Sequence, residues 1–244
     1  MSTPFIRKLK NGADLSAEEC RVLEDAASDV REIGPRQTLI QEGTRPENVH
    51  LLVEGWACRD KYLEDGSRQI MAFLVPGDFC DLHVAILGEM DHNIVTLSPC
   101  KVALIPDHTI EELTSKHPNI NRALWWATLV DEGTLREWLV NLGRRSADQR
   151  MAHIFCELLM RLQSVDLADQ NSFTLPITQE ELADTLGMST VHANRTLHQL
   201  RSDGLITLTA RKLVIDDLDR LKAYAEFDPN YLHLAKRQGH DKAA

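Results

Sequence analysis

Residues 177–215 of this chain are ITQEELADTLGMSTVHANRTLHQLRSDGLITLTARKLVI. Thr178 is followed three residues later by Glu181, which is the capping-box pattern of a helix N-terminus. Gly187 is the residue type that ends a helix in the left-handed conformation, and Ser189 is a preferred N-cap for a second helix. Two short helices joined by so tight a glycine-containing turn predict a helix-turn-helix.

The apolar residues of this stretch support the same interpretation, because each predicted helix has one apolar face. Those inward positions are Leu182, Ala183, Leu186, Ala193, Leu197 and Leu200. After Ser202-Asp203-Gly204, the runs LITL and KLVI flank TAR, which predicts a β-hairpin or wing. The alternative is an αα-hairpin packed inside a core, but the wing that follows favours a winged helix-turn-helix.

The outward face of the second predicted helix carries side chains that can pair with bases. Asn194 can pair with adenine, and Arg195 with guanine O6 and N7. Hydroxyl groups and helix N-termini can bind phosphates, while the histidines are either contacts or solvated side chains. The predicted DNA contacts are Thr178, Ser189, Thr190, Val191, His192, Asn194, Arg195, His198 and Arg201.

The composition limits the classes of function. The formal net charge of the 244 residues is −10, so a protein that coats nucleic acid non-specifically is disfavoured, whereas a local basic surface remains compatible with specific binding. No apolar run approaches the roughly 18 residues of a membrane span, and the N-terminus lacks a signal-peptide core, so we expect a cytoplasmic protein without membrane contact. The five scattered cysteines predict reduced, mostly buried thiols rather than a metal site.

The N-terminal part of the chain has the texture of a small all-β unit. Short apolar runs are separated by turn signals, and YLEDGSRQI (62–70) places Asp65-Gly66 between two of them, which predicts a hairpin. The stretch PGDFCDLHVAIL (76–87) brings chemically capable residue types together directly after a turn. An enzyme using Cys80, Asp81 and His83 is disfavoured, because no third orienting group or oxyanion-hole motif accompanies them.

A long helix is predicted between the two ends of the chain, over residues 119–143. One of its stripes is apolar, at Ile120, Leu124, Ala127, Val130, Trp138 and Leu142, and Leu129, Leu135 and Leu139 widen it. This stripe either packs on its own domain or forms a two-helix seam with a second copy. We favour the seam, because the adjacent Trp125 and Trp126 cannot both face one core. A hinge is expected at 143–145, before the capping box of Ser146 and Gln149.

The predicted division is therefore an α+β chain in four parts. They are a β-roll sensor domain (1–118), a dimerisation helix (119–143), a winged helix-turn-helix domain (144–230) and a tail (231–244). Residues 164–175 are expected to form a polar connection.

This order of elements resembles the Crp/Fnr family of bacterial transcription regulators. The most specific carriers are ITQEELADTLGMSTVHANRTLHQLRSDGLI (177–206) and VHLLVEGWACRDKYLEDGSRQIMAFLVPGDF (49–79). The resemblance implies a cyclic-nucleotide-binding-like β-roll that senses a signal, a homodimer built on the long helix, DNA recognition by the second helix of the motif, and contact with RNA polymerase.

The departures from the family pattern concern the signal. The resemblance implies an effector pocket at Phe79, Cys80, Leu82, His83, His92 and Asn93. Leu82 stands where cyclic-nucleotide members have a ribose-binding Glu, and His92-Asn93 stand in place of their phosphate-binding Arg-Ser, so cyclic AMP is not expected.

Other cofactors of the family are also disfavoured. The clustered N-terminal cysteines of the iron–sulfur members are missing. His83 has the spacing of a haem-ligating histidine in members that sense carbon monoxide, but Asp81 replaces their neighbouring ligand Cys, so haem is disfavoured too. The effector therefore remains unknown. The alternative is regulation through a partner protein or through thiol oxidation at Cys58 or Cys80.

The DNA-reading helix departs from the family pattern as well. Val191, Asn194 and Arg195 match positions that hold Glu, Ser and Arg in the oxygen-sensing members, and only the Arg is kept. We therefore expect a two-fold DNA site of different sequence, with half-sites about one helical turn apart.

Overall fold

The structure, a computed structural model, describes residues 3–82 and 84–234. The elements of its first half are helices α1 (Pro4–Leu9) and α2 (Ala17–Ala26), strands β1 (Val30–Ile33), β2 (Thr38–Ile40), β3 (Asn48–Glu54), β4 (Ala57–Tyr62) and β5 (Arg68–Leu74), helix α3 (Val84–Leu87), strands β6 (Asn93–Thr96) and β7 (Cys100–Pro106), and helix α4 (Asp107–Lys116). The strands form two antiparallel sheets, of order β1-β7-β3 and β2-β6-β4-β5.

The predicted hairpin is confirmed. Strands β4 and β5 pair antiparallel with Tyr62 opposite Arg68, and Gly66 lies between them at a φ of 81°. A left-handed residue at this point is the reason that the Asp-Gly signal works, because glycine adopts it without a steric cost.

Two helices precede the first strand and were not predicted. The signal for α2 was present, since Ser16 and Glu19 form a capping box with backbone-to-side-chain bonds of 2.8 and 3.1 Å. Helix α1 buries Phe5, Ile6 and Leu9 in the core of the β-roll. These helices therefore belong to the sensor half and cover one end of its sheets.

Helix α5 (Pro118–Arg144) is the predicted long helix, and most of the residues predicted to form the dimer face are buried within the single chain. Five of the six residues assigned to a second copy are buried within a single chain, namely Ile120, Leu124, Ala127, Val130 and Trp138. Ile120, Leu124 and Ala127 belong to the core shared with the β-roll and α1, and Trp138 belongs to the core shared with the helix-turn-helix half. Leu142 alone of the six is exposed.

The opposite face of α5 is apolar too, and it is open. Trp125, Leu129 and Leu139 are 59%, 54% and 72% exposed. Trp126 points the other way and packs so closely on Gly12 that a Cβ there would lie 2.7 Å from the Trp126 Cβ. The two tryptophans therefore face different surroundings, and the exposed stripe of α5 is the one that contains Trp125.

The second half continues with helix α6 (Ala147–Gln163), strand β8 (Ser172–Thr174), helices α7 (Gln179–Leu186) and α8 (Thr190–Ser202), strands β9 (Ile206–Thr209) and β10 (Lys212–Ile215), helix α9 (Leu218–Ala225) and a 3₁₀ turn (Pro229–Leu232). The strands form a sheet of order β8-β10-β9. The expected polar connection at 164–175 thus contains a strand, because Phe173 is buried opposite Leu213 of the wing.

The two halves share one hydrophobic core. Phe73 of β5 packs edge-on against Trp138 of α5 at 5.8 Å, and Trp56 stacks on Phe173 at 6.5 Å. Aromatic contacts of this kind bury large areas, so the helix-turn-helix half is packed on the β-roll rather than merely tethered to it. Within the described residues, no helix is both long enough and apolar enough to cross a membrane.

Candidate nucleic-acid interface

Helices α7 and α8 form the predicted helix-turn-helix, and each local signal has the expected geometry. The Glu181 side chain accepts from the Thr178 N–H at 2.6 Å, and the Thr178 hydroxyl accepts from the Glu181 N–H at 3.1 Å. Gly187 ends α7 at a φ of 61°, and Ser189 caps α8 by accepting from the His192 N–H at 3.3 Å. The turn is therefore set by four residues close in sequence.

The inward positions predicted for the two helices are all buried, namely Leu182, Ala183, Leu186, Ala193, Leu197 and Leu200. They belong to the core that also contains Leu213 and Ile215 of the wing. The small side chains Ala183 and Ala193 let two helices approach closely, as this motif requires.

The outward side of α8 is open to solvent. Val191 is 72% exposed, and the other predicted contacts on α8 and at its N-cap are exposed as well. Thr178 is half-buried, because it caps α7 at the edge of the motif. The open row of hydroxyl, amide, imidazole and guanidinium groups has the chemistry needed to contact base edges and phosphates.

The wing ends in an unusually tight turn. Ala210 and Arg211 connect β9 to β10, and both have positive φ values, 48° and 67°. Two consecutive left-handed residues give the turn twist that matches a two-residue hairpin. The Arg211 side chain is exposed at this tip, which gives the motif a second basic projection beside α8.

The first helix of the motif contacts the β4–β5 hairpin. The Gln69 amide donates to the Thr185 carbonyl at 3.3 Å, and Arg68 lies 3.7 Å from Asp184 while it pairs with buried Asp60 at 2.6 Å. An open cleft of about 1,320 Å³ runs beside this contact. Its lining includes Arg36, Asn93, Thr178 and Ser189.

The residues predicted to form an effector pocket do not converge on one cavity. Phe79 and Leu82 line a small cavity against α5, whereas Asn93 lines the cleft that faces the helix-turn-helix. Cys80 is buried in the β-roll core, and His92 is buried beside Asp91, with 2.5 Å between the His92 Nδ1 and a carboxylate oxygen. His83 lies outside the described residues.

A protein side chain bridges the β-roll to the long helix at this point. Arg59 is buried, donates to the carbonyls of Cys80 and Phe79 at 3.3 and 3.2 Å, and forms an ion pair with Asp131 of α5. Burial lowers the pKa of Arg59, but the charge of Asp131 outweighs it and keeps the guanidinium charged. The β-roll and α5 are thus joined here by the Arg59 side chain.

The residues in this region do not fit a cyclic nucleotide. The cavities beside the Pro76-Gly77 turn have volumes of about 40 and 30 Å³, whereas ligand pockets usually have about 300–1,000 Å³. Leu82 offers no acceptor for a ribose hydroxyl, and the His92 imidazole, which already contacts Asp91, lacks the bidentate geometry with which a guanidinium holds a phosphate.

The candidate redox cysteines are deeply buried. Burial raises the pKa of Cys58 to about 12, against the lowering effect of Arg68, and it raises the pKa of Cys80 far above the ordinary thiol value. Because the thiolate is the reactive form, neither thiol has the microenvironment of a redox-sensing cysteine.

Several ionic residues that pair across the fold were missed from the sequence, chiefly Arg59, Asp131, Asp78 and Arg161. One signal for them existed. In the strand-like run WACRDKYL, adjacent charges at Arg59 and Asp60 interrupt an otherwise apolar strand, and a buried charge requires a partner. The identity of that partner was not accessible, because Asp131 is 72 residues away.

Two family models match the chain in the order of its structural halves. A cyclic nucleotide-binding domain matches residues 30–117, and a Crp-like helix-turn-helix domain matches residues 149–224. The first covers the β-roll and its following helix, and the second covers α6 through most of α9.

Curated relatives with the same arrangement cover most of the chain. The transcriptional activator protein FnrL of Cereibacter sphaeroides is 29% identical over 191 residues, which is 76% of this chain and 75% of FnrL. The nitrogen fixation regulation protein FixK of Azorhizobium caulinodans is 27% identical over 177 residues, covering 72% of this chain and 71% of FixK.

The solved structure of FixK2 from Bradyrhizobium japonicum is similar in fold, with a TM-score of 0.71 and 26% identity over 80% of this chain and 96% of FixK2. These relatives are regulators rather than enzymes. The two matched domains, their order and this coverage show that the chain belongs to the Crp/Fnr family of DNA-binding transcription regulators, with a cyclic-nucleotide-binding-like sensor domain.

Proposed function

We propose that the chain regulates transcription as a homodimer that binds a two-fold DNA site through helix α8. This proposal rests on two exposed helix faces of the same chain, the polar face of α8 and the apolar face of α5. One face has the chemistry to recognise DNA, and the other has the chemistry to bind a second copy.

The apolar face of α5 has the spacing of a two-helix seam. On a helical wheel, Trp125, Leu129 and Leu139 fall within about 40° of one line, at about 100° per residue. Their steps of four and ten residues fit the 3.5-residue repeat of a helix pair. Between them, Glu132 and Arg136 pair at 2.7 Å on the same face and can contribute to its register.

Recognition of DNA is assigned to the N-terminal part of α8. Asn194 and Arg195 would pair with bases in the major groove, with Val191 positioned to contact a thymine methyl group. The hydroxyls and helix N-termini at Thr178 and Ser189 would bind phosphates. Thr190, His192, His198 and Arg201 flank these positions and complete the proposed contact set.

The sensor half is proposed to act without a cyclic nucleotide. The small cavities and the Arg59–Asp131 pair support this assignment, and they leave the effector unidentified. We keep residues 1–118, 119–143 and 144–230 as the proposed sensor, dimerisation and DNA-binding parts. We also infer contact with RNA polymerase, by analogy with the transcriptional activator protein FnrL.

The experiment starts with selection of DNA from a randomised pool of duplexes by the purified full-length protein. An enriched inverted repeat with half-sites about one helical turn apart is expected. Enrichment of no sequence, or of a single unrepeated element, would contradict the two-fold assignment.

The dimer face is tested with the double substitution Leu129→Glu and Leu139→Glu, which places four carboxylates in the proposed seam. We expect a dimeric wild-type protein to become monomeric in sedimentation velocity and to lose affinity for the enriched site. Leu167→Glu is the matched control, because Leu167 is also exposed but lies outside α5. If the wild-type protein were monomeric in solution and occupied the two half-sites as separate monomers, this result would contradict the seam.

A further inference from the structure

A buried chain of ionic groups connects the β-roll to the DNA-binding half. It begins at Asp78, in the turn that follows β5. Asp78 accepts from Lys8 of α1 at 2.5 Å, from Arg161 of α6 at 2.7 Å, and from the backbone N–H of Val75 at 2.8 Å. One carboxylate of the sensor half is thus held by cations from two other elements.

The chain continues through Arg161 into α6 and beyond. Arg161 also donates to the Phe73 carbonyl at 2.9 Å and to Glu157 at 3.2 Å. Glu157 is fully buried, and it accepts from the indole N–H of Trp138 at 2.9 Å and from the hydroxyl of Tyr231 at 2.8 Å. We call this set, from Lys8 to Tyr231, the interdomain latch.

The ion pair at the centre of the latch is buried, unlike an ion pair on the protein surface. The side chains of Asp78 and Arg161 are only 5% and 16% exposed. Both carboxylate oxygens of Asp78 and both of Glu157 accept hydrogen bonds. A buried ion pair fixes one geometry only when its hydrogen bonds are satisfied in this way. Each member therefore holds its partner in one orientation.

The backbone alone would leave this orientation loose. Helix α5 ends at Arg144 and α6 begins at Ala147, so only Arg145 and Ser146 separate them. A joint of two non-helical residues can rotate through its backbone angles, as hinges between domains do. The latch connects the two sides of this joint, because Asp78 and Trp138 lie before it while Arg161 and Tyr231 lie after it.

We propose that Arg161 and Asp78 are positioning residues for DNA binding, which fix the angle between α5 and the helix-turn-helix and thereby the distance between the two recognition helices of the dimer. This inference rests on the proposed dimer. The recognition side chains of α8 are exposed while the latch is closed, so the latched arrangement leaves them accessible to DNA.

The two ends of the latch lie outside both family matches. Lys8 precedes the matched segment 30–117, and Tyr231 follows the matched segment 149–224. Helix α1 adds a further connection, since Arg7 donates to the Val165 carbonyl at 2.7 Å and pairs with Asp166 at 3.2 Å. The terminal segments of this chain therefore both reinforce the joint between its halves.

Half-site spacing gives a readout that a purely structural residue would not change. Inserting one base pair between the half-sites rotates one relative to the other by about 34° and moves it by about 3.4 Å. A rigid dimer must strain to follow this change, whereas a dimer with loose DNA-binding domains can rotate at the joint. Loosening of the joint should therefore lower the affinity for the selected site. It should also reduce the loss of affinity that the inserted base pair causes.

The variants are Arg161→Met, Asp78→Asn and their double, with Arg220→Met as the control at an exposed site in the same half. The wild type should lose about tenfold or more in affinity on insertion, comparable to one wrong base pair. Either single variant should bind the selected site about tenfold more weakly and show an insertion penalty below about threefold. The double should be no weaker than the weaker single, and the control should match the wild type.

A second measurement needs no DNA. Arg144 is exposed at the joint and offers a trypsin site, so opening of the latch should speed cleavage there. We expect faster cleavage in Arg161→Met and Asp78→Asn, and an unchanged rate in Arg220→Met. Tyr231→Phe removes only one hydroxyl, and it should shift both readouts in the same direction to a smaller degree, which keeps the test valid if Arg161→Met fails to fold.

The outcomes separate the latch from the proposed function. Unchanged cleavage in all latch variants overturns the latch, whatever the DNA results. Faster cleavage with an unchanged insertion penalty overturns the positioning role. Failure to enrich an inverted repeat would instead remove the two-fold DNA assignment, and the cleavage rates would then decide the latch alone.

Discussion

Two regions of the molecule use similar polar residues for opposite purposes. On α8, Asn194 and Arg195 face solvent, and the helix is positioned by caps and apolar contacts that lie near it in sequence. At the Pro76-Gly77 turn, Asp78 and Asp81 are buried and bonded to distant residues. Asp81, for example, accepts from both the backbone N–H and the imidazole of His50, at 2.7 and 2.8 Å.

The difference shows what makes a polar residue available for function. A side chain that is open to solvent can exchange its water for a ligand, whereas one whose hydrogen bonds are already satisfied inside the protein contributes to structure. By this criterion the Pro76-Gly77 turn, which has the residue types of a reaction centre, has a structural role. Helix α8, whose polar side chains are open to solvent, is the proposed functional surface.

Among the substitutions that test this contrast, Glu157→Ala is expected to have the largest effect on stability. The substitution leaves Arg161 with one fewer partner and leaves the Trp138 and Tyr231 donors without an acceptor, so it should cost about 3–5 kcal/mol in the free energy of unfolding. Urea unfolding monitored by circular dichroism measures this loss. Glu111→Ala, on the exposed side of α4, should stay within about 0.5 kcal/mol of wild type. A loss below about 1 kcal/mol at Glu157 would contradict the structural role of the buried network.

The next effect concerns the pH dependence of stability at Asp78. Burial raises the pKa of this carboxyl, but Lys8 and Arg161 outweigh burial and lower that pKa to about 2. Since the folded pKa lies below the unfolded value of about 3.9, the unfolded chain binds the proton first as the pH falls. Asp78 should therefore contribute stability above about pH 5, on the order of 2 kcal/mol, and this contribution should disappear between about pH 4 and pH 2.

The measurement is urea unfolding of wild type and Asp78→Asn between pH 7 and the lowest pH at which both are folded. The variant cannot gain or lose this proton, so the stability difference between the two proteins should shrink as the pH falls. A difference that stays constant across the range would show that Asp78 is not the group whose ionisation is coupled to folding.

These contrasts also explain how much could be predicted from the sequence. The helix-turn-helix was predicted in detail because Thr178, Glu181, Gly187 and Ser189 act on neighbours within a few residues. The latch could not be predicted, because Arg161 and Asp78 are separated by 83 residues and Lys8 and Asp78 by 70. Only the folded chain brings such partners together.

The two faces of α5 could not be assigned from the sequence for a different reason. The helix carries apolar residues on two faces, and periodicity identifies both without deciding which one its own chain covers. The β-roll and α1 take the stripe of Ile120 and Leu124, and the stripe of Leu129 and Leu139 remains open. The pattern therefore predicted the helix and its apolar residues, but it could not show which face the chain itself covers.

At the functional surface, a substitution should affect binding and leave stability unchanged. Arg195→Ala should weaken binding to the selected DNA by about 1–3 kcal/mol and relax the preference at one base pair, if Arg195 pairs with guanine. Because Arg195 is exposed, the free energy of unfolding should stay within about 0.5 kcal/mol of wild type. Fluorescence anisotropy on duplexes substituted at each position measures the first effect. Equal affinity of variant and wild type would remove Arg195 from the contact set.

The smallest effect comes from two glycines that share a conformation but not a role. Gly187 in the helix-turn-helix and Gly66 in the β4–β5 hairpin have φ values of 61° and 81°, and a Cβ at either position would meet no contact closer than 3.6 Å. Alanine at each should therefore cost only the left-handed backbone penalty, about 1 kcal/mol in the free energy of unfolding. Gly187→Ala should in addition weaken DNA binding, because relief of strain in the turn changes the angle between α7 and α8. Gly66→Ala should bind DNA as wild type does, since the hairpin contacts α7 through Gln69 and Arg68 and a Cβ on Gly66 would meet nothing within 4 Å. Equal DNA affinities for the two variants, at equal loss of stability, would mean that the turn is not what orients the recognition helix.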